Sequence, residues 1–146
     1  MTDMLRVKNP NTGKYELISI NEILYFVFNN DSFTRVGSDK YELLLPITEI
    51  GLKEIIEEYE FTASDRYVFV NTNKMKKLHS SLNSIIFADV TSLQEAKQLN
   101  VPTVFMHSKY APKIRAILGV ENDLAYKLTK KNSKYILKRN VFDEIS

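Results

Sequence analysis

The chain contains no cysteine, which removes a disulfide scaffold, a thiol nucleophile and a thiolate metal site together. Its two histidines, His79 and His107, stand 28 residues apart with no acidic residue at ligand spacing. Neither a metal site nor a Ser-His-Asp arrangement is supported. Glycine is scarce and dispersed, at Gly13, Gly37, Gly51 and Gly119, whereas a phosphate-cradling loop needs it clustered. No GxGxxG, GxxxxGK(S/T) or GxSxG pattern occurs. The expectation is therefore no enzyme, no cofactor and no metal. No apolar run approaches the length of a membrane helix, about 18 residues. The N-terminal stretch "MTDMLRVKNP" also lacks the apolar centre of a signal peptide. A soluble, unsecreted protein of cytoplasmic location is expected.

The chain of 146 residues has the length of one domain, and 44% hydrophobic content is enough to bury a core. The net charge of +2 is too small to argue for a polyanionic partner, but its distribution is uneven. Residues 41–60 hold six Glu against one Lys, a local balance of −5. Residues 103–140 hold nine Lys and Arg against Glu121 and Asp123, a balance of +7. Such polarity can steer a polyanion to one end of a molecule. An ordinary solvated lysine surface accounts for it equally well.

Along the first half, "MLRVK", "KYELISI", "EILYFVF", "FTRV" and "YELLL" read as five short strands joined by turn-rich loops, a meander with "EILYFVF" central. Leu52, Ile55, Ile56 and Tyr59 then recur at helical spacing, with the glutamates mostly on the other face. "YVFVN" and "NSIIFADV" read as two strands, with Asp65 and Arg66 at the entrance of the first. "TSLQ", residues 91–94, matches a capping box with Thr91 at the N-cap, opening a short helix with Leu93, Ala96 and Leu99 on one face. "VPTVFM" reads as a last core strand. "HSKYAPKIRAILG" reads as a helix from a Ser108 cap to Gly119, with Tyr110, Ile114, Ile117 and Leu118 inward. The basic tail reads as a hairpin around "KKNS". Strands, helix, strands and short helices, without alternating βαβ units, predict a mainly β antiparallel fold.

Three polar stretches sit at strand-to-loop transitions: "NNDS" with Asn30 and Ser32, "SDR" with Arg66, and "HSK" with His107, Ser108 and Lys109. Arg donates in a fork to guanine, Asn reads adenine, and Lys and Ser hold phosphate. Loops at one edge of a stiff sheet could present such groups to a DNA groove.

In this order the motifs resemble a known family, the LytTR-type DNA-binding domains. "INEILYFVFNNDSFTRV" is similar to the family's opening strand pair, and residues 47–59 to its Leu- and Glu-rich helix. "FTASDRYVFVNTNKMKKL" resembles its "F.R.HRS..VN...I" stretch, and "VFMHSKYAPKIRAIL" its closing "PVSRRY...L...L". The resemblance implies a LytTR-type β meander or sandwich with one amphipathic helix between sheets, and a C-terminal helix followed by the basic hairpin. It implies a binding domain over residues 1–119 with a basic extension over 120–146, and readout by loops that enter successive major grooves and bend the DNA. Arg66 falls at a DNA-contact position ahead of "VN", Lys109 at the second Arg of "SRRY", and Phe33 where some members use His. Val70 and Asn71 match "VN", Val in the core and Asn securing a turn. A small stand-alone bacterial or phage transcription regulator with double-stranded DNA as partner follows.

The sequence departs from the family in three places. Asp65 replaces the family's His, Ser108 stands where the first Arg of the closing motif falls, and the helix at residues 91–100 has no room in the tighter family pattern. These departures motivate the alternative: a protein-interaction module of the same fold, an antagonist or accessory regulator, bound to a protein regulator or to itself.

Overall fold

A computed structural model describes residues 4–28, 34–36, 41–43 and 49–125. The chain divides into two compact units, Met1–Lys74 and Met75–Ser146. The expected loop residues Asn30, Ser32 and Phe33, and the basic hairpin, lie outside the described residues.

The first unit holds strands β1 (Met4–Lys8), β2 (Tyr15–Ser19), β3 (Tyr25–Phe28), β4 (Thr34–Val36) and β5 (Glu42–Leu43), helix α1 (Glu49–Tyr59), and strands β6 (Phe61–Asp65) and β7 (Val68–Asn71). All seven strands form one sheet in the order β2-β1-β5-β4-β3-β7-β6, and every pairing is antiparallel. Mainly antiparallel β with short helices is thus the fold class, as expected.

The simple meander is corrected at two points. After β2 the chain makes a 3-10 turn, Ile20–Glu22, instead of running into β3. Ile20 and Ile23 both bury there, and β3 begins only at Tyr25. β1 consequently pairs with β5 as well as with β2. The helix also connects two strands of this one sheet, so it does not lie between sheets in the chain order.

The core of this unit is Val7, Ile20, Ile23, Phe26, Val36 and Phe61, with Ile55, Ile56 and Tyr59 of α1 packed on it. Helical periodicity therefore identified the buried face of α1, while Glu54, Glu57 and Glu58 face solvent. The Phe26 and Phe61 rings lie 5.3 Å apart at 39°, a tilted contact worth about 0.5–1.5 kcal/mol beyond area burial.

Asn71, at the end of β7, is buried and carries the turn assigned to it. Its Nδ2 donates to Ile23 O at 3.0 Å and to Asn21 O at 3.3 Å, and its Oδ1 accepts from Asn73 N–H at 3.1 Å. One side chain thus ties the strand end to the 3-10 turn that redirected the chain. No apolar residue of that size could satisfy three backbone groups.

The second unit holds β8 (Lys77–His79), β9 (Ser84–Ile86), helix α2 (Leu93–Gln98), β10 (Thr103–Phe105) and helix α3 (Ala111–Leu118). Its sheet is antiparallel in the order β10-β9-β8. "VPTVFM" is therefore an edge strand, not a core strand. Its Thr103 and Phe105 are exposed, and only Met106 beyond it is fully buried. Ile86, Val90 and Ala96 form a core with Leu93, Val101 and Leu124 packed against it.

The capping box lies one residue later than the sequence suggested. Ser92 Oγ accepts from Glu95 N–H at 3.0 Å, and Glu95 Oε1 accepts from Thr91 N–H at 2.7 Å and Thr91 Oγ–H at 2.9 Å. Those two donors, the backbone one first, hold the Glu95 carboxyl below its ordinary range. With the cap shifted, Leu99 falls past the helix end and is 62% exposed, off the expected apolar face.

Candidate nucleic-acid interface

In the first unit the site is a hairpin tip. "FTASD" forms its own strand, so Asp65 and Arg66 do not stand at the entrance of an isolated β7. Asp65 pairs with Val68, and Arg66 and Tyr67 make the two-residue connection, after a register shift between Ala63 and Asp65. Ala, Ser and Asp carry little strand signal, but Thr62 and Ser64 are buried here, and that packing holds the strand.

Two bonds fix the tip. Phe28 N–H donates to Tyr67 O at 2.6 Å, anchoring it to the end of β3, and Arg66 N–H donates to Asp65 Oδ1 at 2.8 Å. The Asp65 carboxylate is thus engaged by backbone, and among the described residues no ion pair joins it to the Arg66 guanidinium. Arg66 is exposed, and its guanidinium lies 5.1 Å from the Tyr67 ring centroid. Such a cation–π contact is worth about 0.5–1 kcal/mol at an exposed site. It limits where the guanidinium can swing while leaving its fork of donors available.

In the second unit the candidate residues leave the end of β10. Ser108 is not the N-cap of the long helix; it lies inside a 3-10 turn, Ser108–Tyr110, that precedes α3. His107 caps this turn, its Nδ1 accepting from Lys109 N–H at 3.0 Å. The His107 and Tyr110 rings meet edge-on at 6.4 Å, and Lys109 Nζ lies 5.5 Å from the Tyr110 ring centroid. His107, Ser108 and Lys109 are all exposed.

The other histidine does the same. His79, at the end of β8, caps the 3-10 turn Ser80–Leu82, its Nδ1 accepting from Leu82 N–H at 3.2 Å. Asn83 follows in the left-handed conformation at φ 53°, which Asn tolerates better than most side chains. His79 pairs with Ser84, and Ser84 with Phe105. Both capped turns therefore leave the same end of one sheet. The signal in the sequence is a shared His-Ser dipeptide, "HSSLN" and "HSKYA", which read singly as polar surface.

Behind the 79–82 turn lies Asp123, whose side chain is wholly buried. Its Oδ1 accepts from Ser80 N–H at 3.0 Å and Ala125 N–H at 3.1 Å, and its Oδ2 accepts from Arg115 Nε at 3.1 Å. Leu124 N–H donates to Leu78 O at 2.7 Å, so residues 123–124 lie along β8. Burial lowers the pKa of His79 from its ordinary value, although the Asp123 charge, itself paired with Arg115, acts to raise it. The neutral imidazole is also the form whose Nδ1 can accept from Leu82.

The folded chain thus binds this proton less tightly than the unfolded chain, whose His titrates near about 6.5. The stability that His79 contributes is present above that pH and is lost as pH falls below it. The urea midpoint should drop between about pH 7 and about pH 5.5, and His79→Gln should reduce that drop. Equal slopes for the two proteins would contradict the assignment.

Among the described residues no group of three or more His, Asp or Glu is placed to hold a metal ion. Among them, too, no helix is long and apolar enough to cross a membrane.

No protein-family model and no curated protein matches the chain. Among solved structures it is similar to the LytTr DNA-binding domain of a Bacillus cereus protein described as a methyl-accepting/DNA response regulator. The two are 15% identical with a TM-score of 0.54, over 82% of this chain and 99% of that one. The likeness is one of fold, and the fold of this chain is that of a LytTr DNA-binding domain.

Proposed function

We propose that the chain binds double-stranded DNA with sequence preference, as a transcription regulator, and that it reads base edges through the hairpin tip at Arg66. The observation that carries this reading is the exposed Arg66 guanidinium, left unpaired by Asp65, on a chain with the fold of a DNA-binding domain. A fork of donors on a fixed two-residue connection suits O6 and N7 of guanine in the major groove. Lys109 and Ser108 hold phosphate, with Asn30 and Ser32 and the lysines after residue 126 extending the contact, and the bound duplex is bent. Residues 1–119 supply the reading surfaces, and 120–146 add charge.

Selection of duplexes from a random-sequence pool by the full chain tests the proposal. A preferred sequence should emerge, and its binding constant should fall with salt at a log–log slope of about −4 to −5 if about five phosphates are neutralised. A pool that returns no preferred sequence at low salt sinks the proposal.

A further inference from the structure

The end of the second unit's sheet carries two large apolar side chains open to solvent, Leu82 at 57% and Phe105 at 51% exposure. The register brings their positions together. Phe105 pairs with Ser84, Met106 N–H donates to Asn83 O at 2.8 Å, and Ser84 Oγ–H donates back to Leu82 O at 3.2 Å. The two segments that form this end, residues 79–84 and 103–110, supply Lys109, His79, His107 and several hydroxyls, and contain no carboxylate. Asp123, which reaches into the turn from behind, is buried and paired with Arg115.

Single exposed apolar residues need no explanation. Two at one sheet end, on segments that carry a lysine and hydroxyl donors and no carboxylate of their own, match the chemistry of a major groove. Phosphates line its edges, and the thymine C5-methyl is the apolar group exposed within it. Resting on the DNA-binding reading above, we infer that Leu82 and Phe105 contact thymine methyl groups, so that this end of the sheet reads A·T pairs while the Arg66 hairpin reads guanine.

The probe is the duplex that the full chain selects from a random pool, resynthesised with deoxyuridine replacing thymine at one position at a time. Uracil keeps the O4 acceptor and the pairing and lacks only the methyl. The wild-type chain should lose about fourfold in affinity at each contacted position, the ratio expected for one buried methyl-sized group. Leu82→Asn or Phe105→Asn should each abolish that loss at one position, while circular dichroism shows each variant folded with a cooperative thermal transition. Three results overturn the inference while DNA binding stands: wild-type affinity indifferent to every thymine-to-uracil change, a selected site without thymine, or variants as sensitive as the wild type. Failure to select any duplex removes the premise, and the inference with it.

Discussion

Asp123→Ala is expected to destabilise the second unit by about 2–4 kcal/mol, read as a lower urea midpoint with the slope unchanged. The estimate follows from what the wholly buried carboxylate holds. Removing it strands the N–H groups of Ser80 and Ala125 and takes from Arg115 Nε the carboxylate oxygen it donates to. Arg115 keeps 28% of its side-chain surface, so water relieves part of its charge, and the loss stays below that of a fully enclosed pair. Asp123→Asn keeps an oxygen able to serve both N–H groups and should show the smaller part of the loss. Equal losses for the two variants would place the stabilisation in the ion pair and not in the turn. The consequence reaches the candidate site, because Ser80 opens the turn that His79 caps and Leu82 closes.

Arg66→Ala is expected to weaken binding to the selected duplex by about 1–3 kcal/mol, or about five- to 150-fold, and to relax the preference at one base position. The fold should survive, since the side chain is exposed and only the backbone of Arg66 bonds to Asp65. Arg66→Lys keeps the charge but loses the planar fork, so it should restore part of the affinity and little of the preference. Competition binding against single-base variants of the duplex separates the two effects. A substitution that lowered affinity equally for all sequences would make Arg66 a phosphate contact.

The sequence made local, periodic features legible and left pairing and edges obscure. Ile55, Ile56 and Tyr59 lie at helical spacing, and they are the side chains that pack on the core. Asn71, which the match to "VN" places at a turn, holds that turn through three backbone groups. By contrast, "FTASD" and "KLH" are short strands of small or mixed residues, held by pairing with Val68–Asn71 and Ser84–Ile86 and by burial of Phe61, Thr62, Ser64 and Leu78. The β1–β5 pairing has no local signal, since it depends on a bend at Ile20–Glu22 driven by burial of Ile20 and Ile23. Whether "VPTVFM" lies at the centre or the edge of a sheet is likewise decided by its neighbours, and the exposure of Phe105 could not be foreseen from its alternation. At the candidate site the residue types of Arg66 and Lys109 were readable, but the hairpin tip and the paired histidine caps were not. Those depend on register.

The most direct test replaces each guanine of the selected duplex, one at a time, with 7-deazaguanine, which removes the N7 acceptor and leaves the base pair intact. Binding is then measured for the wild type and for Arg66→Ala. One guanine is expected at which the wild type loses affinity and the variant does not. Loss at that guanine in both proteins, or at none in the wild type, would contradict a base-reading role for the hairpin tip.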